Sequence, residues 1–319
     1  MIREKRIIVT GGTGFLGSQI VSLLNESNRV FVPRSTYYDL KEKEAAKQLF
    51  VDFPNVDIVI HAAADVGGIG YSKTHPGSMF YNNMLINMNM VHQSYMAKVK
   101  KFVGIGSVCE YPANTSIPFK EENIWKGYPV STNDAYGFAK RMMLAQCNGY
   151  RKQYNFNSIH LVLENLYGPK DDFDLKNSHV IPALIRKIVM ALDADEKSVD
   201  VWGSGDESRE FLYVKDAAKA IVMASEKYDK PDPVNIGTGE EIRICDLAKI
   251  IGNYLGYTGK FHYLNNGLGG QQRRLLDISR AKIQFGFEAS TGLEDGLKET
   301  IHYYLDHREE LDKQGEEDE

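Results

Sequence analysis

The stretch Asp134-Ala135-Tyr136-Gly137-Phe138-Ala139-Lys140 sets a tyrosine and a lysine four residues apart. On a helix that spacing puts both side chains on one face, one turn from each other. An ammonium beside a phenol favours the phenolate. The expectation is therefore a tyrosine of lowered pKa whose hydroxyl exchanges a proton near neutral pH. Upstream, Ser107 ends an apolar run and Cys109 follows two residues later. In extended chain those two side chains point the same way and could face one pocket. The serine hydroxyl could then hold the same carbonyl or alcohol oxygen as the tyrosine. Cys109 stays open between a small buried hydrophobe and a reactive thiol. Surface helices produce Y-x-x-x-K by chance, so its weight depends on the elements that position it.

Those elements read as alternating strands and helices. Ile7–Thr10 is a short β-branched run, typical of a buried parallel strand. It enters Gly11-Gly12-Thr13-Gly14-Phe15-Leu16-Gly17, after which Ser18 to Leu24 has helical patterning. A G-x-x-G-x-x-G between strand and helix lets the backbone approach a pyrophosphate at the helix N-terminus. Thr13, Phe15 and Leu16 of that turn join the three glycines as candidate cofactor contacts. The second strand, Arg29–Val32, is followed by Arg34 with Ser35 and Thr36, and no acidic residue comes before Asp39. An arginine there suits a ribose 2′-phosphate, which favours NADP over NAD.

Asp57–Ala64 reads as a strand ending in Ala62, Ala63 and Ala64, small enough to admit a cofactor at the ligand rim. His61 on it reads as a core histidine, and Val66–Gly70 as a flexible loop. The Met-rich helical stretch Met79–Lys98 is a candidate subunit contact. Phe102–Gly106 is the strand delivering Ser107, and the Tyr136 helix runs to about Tyr154. Ser158–Leu163 is a strand broken by Glu164–Pro169, where the chain leaves the nucleotide domain. Asn177–Pro182 opens a helix with its proline in the first turn. Trp202–Gly205 then forms a loop, Arg209–Phe211 a short strand, and Pro233–Gly237 a strand returning to the first sheet. The expected fold is α/β: a Rossmann doubly wound parallel sheet with a smaller α+β C-terminal substrate-binding domain. Residues 1–165 form the nucleotide domain, with 211–238 returning to it, and 166–319 are mainly the substrate domain.

Composition narrows the class. The 319 residues are 43% hydrophobic and 25% charged with net charge -5, and no Lys/Arg-rich run suggests nucleic acid. No apolar run reaches the roughly 18 residues of a membrane helix. Residues 1–6 lead straight into a strand, which does not read as a secretory signal. Cys109, Cys147 and Cys245 form no C-x-x-C, so neither a disulfide framework nor a metal site is expected, and a cytoplasmic setting is. The acidic end, residues 315–319, reads as a frayed tail.

With these pieces assembled, the chain resembles the extended short-chain dehydrogenase/reductases. Within them it is similar to the GDP-L-fucose synthase family, which epimerises and then reduces GDP-4-keto-6-deoxy-D-mannose. The resemblance runs through nearly the whole chain. Its general marks are Gly11-x-x-Gly14-x-x-Gly17, Ser107, Tyr136-x-x-x-Lys140 and Asn165-Leu166-Tyr167-Gly168-Pro169. More discriminating are Val66–Ile69, Ser107–Pro112, Asn177–Leu184, Trp202–Gly205 and Arg209–Leu212.

The resemblance implies NADP(H) as cofactor, a GDP-sugar as substrate and a homodimer built through a helix bundle. It implies that Cys109 and His179 are the acid/base pair inverting C3 and C5, while Tyr136 protonates O4, Ser107 holds that oxygen and Lys140 holds the nicotinamide ribose. Asn165, Lys187, Trp202 and Arg209 match positions that bind the nucleotide sugar. The chain departs from the family's pattern at Gly12–Leu16, at Leu163-Glu164, at Glu207 and at Leu268–Arg274, which leaves the exact sugar open. Two other enzymes fit parts of the pattern. One is a GDP-mannose 3,5-epimerase-like enzyme with tightly held NAD, which Arg34 and His179 oppose. The other is a plain 4-ketoreductase for another GDP-sugar, a deoxyhexose or heptose. A redox-sensing or scaffold module is disfavoured because the Tyr/Lys pair is kept.

Overall fold

A computed structural model describes residues 2–264 and 271–313. The acidic tail at 315–319 and the Leu268–Gly270 part of the departing segment lie outside the described residues. In chain order the first elements are β1 (Arg6–Thr10), α1 (Phe15–Leu24), β2 (Arg29–Phe31), α2 (Lys43–Asp52) and β3 (Ile58–His61). Next come α3 (Ile69–Thr74), α4 (Pro76–Met96), β4 (Lys101–Ser107), α5 (Asp134–Tyr154) and β5 (Ser158–Leu163). Then follow β6 (Asn165–Tyr167), α6 (Val180–Asp193), β7 (Ser198–Trp202), β8 (Ser208–Tyr213), α7 (Val214–Lys227) and β9 (Val234–Ile236). The chain continues through β10 (Glu241–Arg243), α8 (Ile244–Leu255), β11 (Lys260–Leu264), α9 (Ser279–Phe285), α10 (Leu293–Asp306) and α11 (Arg308–Lys313).

Six strands pair in the order β2-β1-β3-β4-β5-β9, every pairing parallel. Parallel strands are covered on both faces, which is why β1 and β3 carry the apolar runs Ile7-Ile8-Val9 and Ile58-Val59-Ile60. On one face, Ile20 and Leu24 of α1 and Ala217 and Ile221 of α7 pack on Val9, Ile60 and Leu161. On the other, Met90 and Val91 of α4 and Met143 and Cys147 of α5 pack on Ile8, Val59 and Phe102. This two-sided wrapping is a Rossmann-type fold, and β9 does return to the first sheet from far along the chain. The smaller sheets, β10-β8-β6 and β11-β7, carry a separate core in which α6 and α8 pack through Ile185, Ile188, Leu247 and Ile251.

Local corrections have plain causes. The segment expected as a loop at Val66–Gly70 becomes helical from Ile69, where Gly68 N–H is tied to the Asn177 carbonyl at 2.7 Å. The Met-rich helix starts three residues early, at Pro76, whose ring pre-sets the first turn. Ser107 and Cys109 do not share a strand face. The chain leaves β4 into a 3-10 turn, Val108–Glu110, and the Cys109 N–H bonds Ser107 Oγ at 3.2 Å.

Candidate active site

A cleft of about 610 Å3 opens along the C-terminal ends of β1, β3, β4 and β5 and runs under α6 and β8. At its β1 end, Gly11 has φ +68°, and a Cβ there would stand 2.8 Å from the Ala63 nitrogen. A Cβ on Gly17 would run into the Gly11 carbonyl, so α1 packs close against the turn. The α1 N-terminus has no side-chain cap, which leaves its backbone N–H donors available to an anion. Thr13, Phe15, Leu16 and Ala62–Ala64 line the same end. This cradle, which side chains would fill, fits the pyrophosphate of a dinucleotide. Arg34 is not part of the wall. It is exposed in the turn after β2, whose neighbour β1 carries the glycines.

Ser107, Cys109, Tyr136, Lys140 and His179 all line the cleft. Ser107 is held by Glu110, whose carboxylate accepts the Ser107 N–H at 2.9 Å and bonds His160 Nε2 at 2.9 Å. Tyr136 and Lys140 lie one turn apart on α5, the ammonium 5.5 Å from the phenol ring centre. Lys140 is buried and donates to the Ile105 carbonyl at 2.9 Å. The expectation of a lowered tyrosine pKa fails. Burial, then the charges of Cys109 and Glu110, push the Tyr136 phenol up. Burial also draws Lys140 down to about 8, with Glu110 opposing.

Cys109 receives a hydrogen bond from Asn133 Nδ2 at 2.8 Å, and Arg274 Nη1 lies 4.0 Å from its sulfur. Sequence reasoning assigned neither group. Asn133 sits at the N-terminus of the Tyr136 helix, a signal that was available in the sequence, whereas Arg274 arrives from 165 residues away. His179 heads α6, and its carbonyl accepts the Ala183 N–H at 3.0 Å. The surrounding protein pulls its pKa down, with Asp172 opposing. The residue is nonetheless open to solvent within the cleft, which screens much of that pull.

The far wall holds Asn165, Lys187, Trp202 and Arg209. Asn165 Nδ2 donates to the Glu210 carbonyl at 3.0 Å. The Lys187 ammonium stands 5.2 Å from the Trp202 ring centre, leaving the indole 44% exposed. Arg209 is buried, and burial together with Arg274 draws it down to about 10. Glu207 accepts Ser204 and Gly205 N–H groups at 3.2 and 3.0 Å, bracing the turn after Trp202. Among the described residues no cluster of His, Cys, Asp or Glu is arranged to hold a metal.

The sequence matches the NAD dependent epimerase/dehydratase family over residues 7–237. It is 37% identical to a GDP-L-fucose synthase of Sinorhizobium fredii, over 96% of this chain and 97% of that protein. Among solved structures, a GDP-6-OMe-4-keto-L-xylo-heptose reductase from C. jejuni superposes with a TM-score of 0.89 at 27% identity, covering 96% of this chain and 99% of that one. A GDP-L-fucose synthetase from Naegleria fowleri bound to NADP superposes with a TM-score of 0.87 at 27% identity, covering 97% and 96%. The chain belongs to the NAD dependent epimerase/dehydratase family, in the branch that contains the GDP-L-fucose synthases.

Proposed function

We propose that this NAD(P)-dependent enzyme converts GDP-4-keto-6-deoxy-D-mannose to GDP-L-fucose, using NADPH. The observation that carries the reading is one cleft lined by both Cys109 and His179 and by Ser107, Tyr136 and Lys140. A carbon beside a ketone is acidic. Inverting it needs one group to remove a proton and another to return one on the opposite face. Cys109, held by Asn133 and facing Arg274, and His179, from α6, serve C3 and C5 in those roles. Tyr136 then gives its proton to O4, and Ser107 donates a hydrogen bond to the same oxygen, where negative charge develops. The glycine turn, Ala62–Ala64, Lys140 and Asn165 hold NADPH, with Arg34 at the rim for the 2′-phosphate, and the bound cofactor supplies a hydride to C4. Trp202, Lys187 and Arg209 take the nucleotide sugar, the indole face stacking and the guanidinium pairing with diphosphate.

We assign residues 1–165 with 211–238 to the nucleotide domain and 166–319 mainly to the substrate domain, residues 211–213 of β8 pairing in the smaller β10-β8-β6 sheet before the chain returns through α7 and β9. The enzyme works in the cytoplasm as a homodimer. No helix among the described residues is long and apolar enough to cross a membrane, and Tyr81, Leu85 and Met88 make a stripe on the outer side of α4 for a second copy.

The test is incubation with GDP-4-keto-6-deoxy-D-mannose and NADPH. NADPH should be oxidised, GDP-L-fucose formed, and solvent deuterium incorporated at C3 and C5. No NADPH oxidation refutes the assignment. A 4-ketoreductase of GDP-heptoses is the second reading, raised by the superposition on the heptose reductase with a TM-score of 0.89, which the 37% identity to a GDP-L-fucose synthase outweighs. It predicts reduction of a preformed GDP-4-keto-heptose without deuterium uptake.

A further inference from the structure

Glu164 is a buried acid that the proposed reaction leaves without a task. It follows β5 at the ligand rim, one residue past the Ser107–Leu163 pair, and lines the cleft. The residue is 3% exposed. One carboxyl oxygen, Oε2, is anchored by the Asn165 N–H at 3.0 Å and the Asn165 side-chain amide at 3.3 Å. The other, Oε1, is buried with no hydrogen-bond partner among the described residues. A polar atom in that position is costly until a ligand pairs with it.

Placement selects which ligand. In sheet order β3 and β4 stand between Glu164 and the glycine turn after β1. Arg274 and Arg209, whose charges act on Glu164, also act on Cys109. Glu164 therefore belongs to the Cys109 half of the cleft, away from the pyrophosphate turn, where the sugar meets the nicotinamide end of the cofactor. Burial, reinforced by Glu210, holds its carboxyl well above the usual range, against the pull of Arg274 and Arg209. The unpaired Oε1 accepts from a sugar hydroxyl when the carboxyl is ionised and can also donate to one when it is protonated.

We propose that Glu164 is a specificity-determining residue of the sugar subsite, its free Oε1 hydrogen-bonding a hydroxyl of the hexose carried by GDP. This rests on the GDP-sugar reading above. A site built around such a bond disfavours a sugar lacking the hydroxyl, because the buried carboxyl is then left unpaired.

Calorimetric titration with NADPH, and then with GDP-mannose and with GDP in the presence of NADPH, compares the wild type with Glu164→Leu and Glu164→Gln. The leucine variant should bind GDP-mannose roughly tenfold more weakly or worse, with GDP and NADPH affinities within about twofold of wild type. The glutamine variant keeps a donor and an acceptor in the same shape and should retain most of the affinity. Preserved NADPH binding reports a folded protein, and Glu164→Thr carries the same comparison should the leucine variant fail that check. Unchanged GDP-mannose affinity, equal losses for GDP and GDP-mannose, or a loss confined to NADPH each overturn the sugar contact. A wild type that binds neither GDP nor GDP-mannose sinks the GDP-sugar reading and this inference with it. A wild type that binds both, matched by its variants, sinks only the role of Glu164.

Discussion

Cys109 and Tyr136 divide the chemistry between them, and that division can be separated by two substitutions. Cys109→Ser keeps a hydroxyl where Asn133 donates but removes the sulfur. It should cut deuterium uptake from solvent by roughly 10²–10⁴ while leaving reduction of a substrate already in the final configuration. Tyr136→Phe should do the reverse, cutting NADPH oxidation by a similar roughly 10²–10⁴ while exchange persists. Mass spectrometry of recovered sugar separates the two. Lys140 gives the pH dependence. Its pKa is depressed to about 8 by burial, so the ammonium is complete below that pH and lost as the pH rises through it. Tyr136 is shifted up and remains a neutral donor over the same range. Reduction should therefore decline on an alkaline limb near that lysine's pKa. Lys140→Arg, whose guanidinium stays charged, should move the limb to higher pH in a kcat/KM profile.

At the scale of elements, the strand-turn-helix of β1 and α1 and the Tyr136 helix were legible because their signals are local. Spacing along one element decides which residues share a face or a turn. Contacts that depend on tertiary packing were not legible. The sign of the Tyr136 shift was misread because burial is invisible in a helix's spacing, and the bond from Asn133 to Cys109 needs α5 set against the turn after β4. Arg274 reaches that sulfur because Glu210 pins its segment. The buried Glu210 carboxylate accepts the Leu276 N–H at 2.8 Å and the Gly239 N–H at 2.7 Å, and also the Thr238 N–H. Glu210→Leu would strand these donors at about 1–3 kcal/mol each. The variant should lose roughly 5 °C or more in thermal unfolding, with catalysis falling alongside through the displaced Arg274. An unchanged melting temperature would show that the carboxylate is not what joins these segments.

For the whole molecule, the question is what covers the outer side of the α4–α5 layer. Met79 and Met90 of α4 are spent on the protein's own core, so the methionine content alone does not mark an interface. The outer side is different. Tyr81 is 63% exposed and Met88 49% exposed. With half-buried Leu85 they stand at i, i+4 and i+7, one stripe along a 21-residue helix. A second copy meeting this stripe around a two-fold axis would form a bundle from two helices of each chain, burying the same patch on both partners. The site itself is built within one chain, since every proposed catalytic residue lines a cleft of that chain. Dimer and chemistry should therefore separate. A Tyr81→Glu, Met88→Glu double variant should run as a monomer in light scattering after size exclusion. Its kcat on the ketosugar should stay within about threefold of wild type, since substitutions away from the site shift stability by little. A variant that remains dimeric would move the interface elsewhere. A monomer without activity would show that pairing holds the cleft in its working shape.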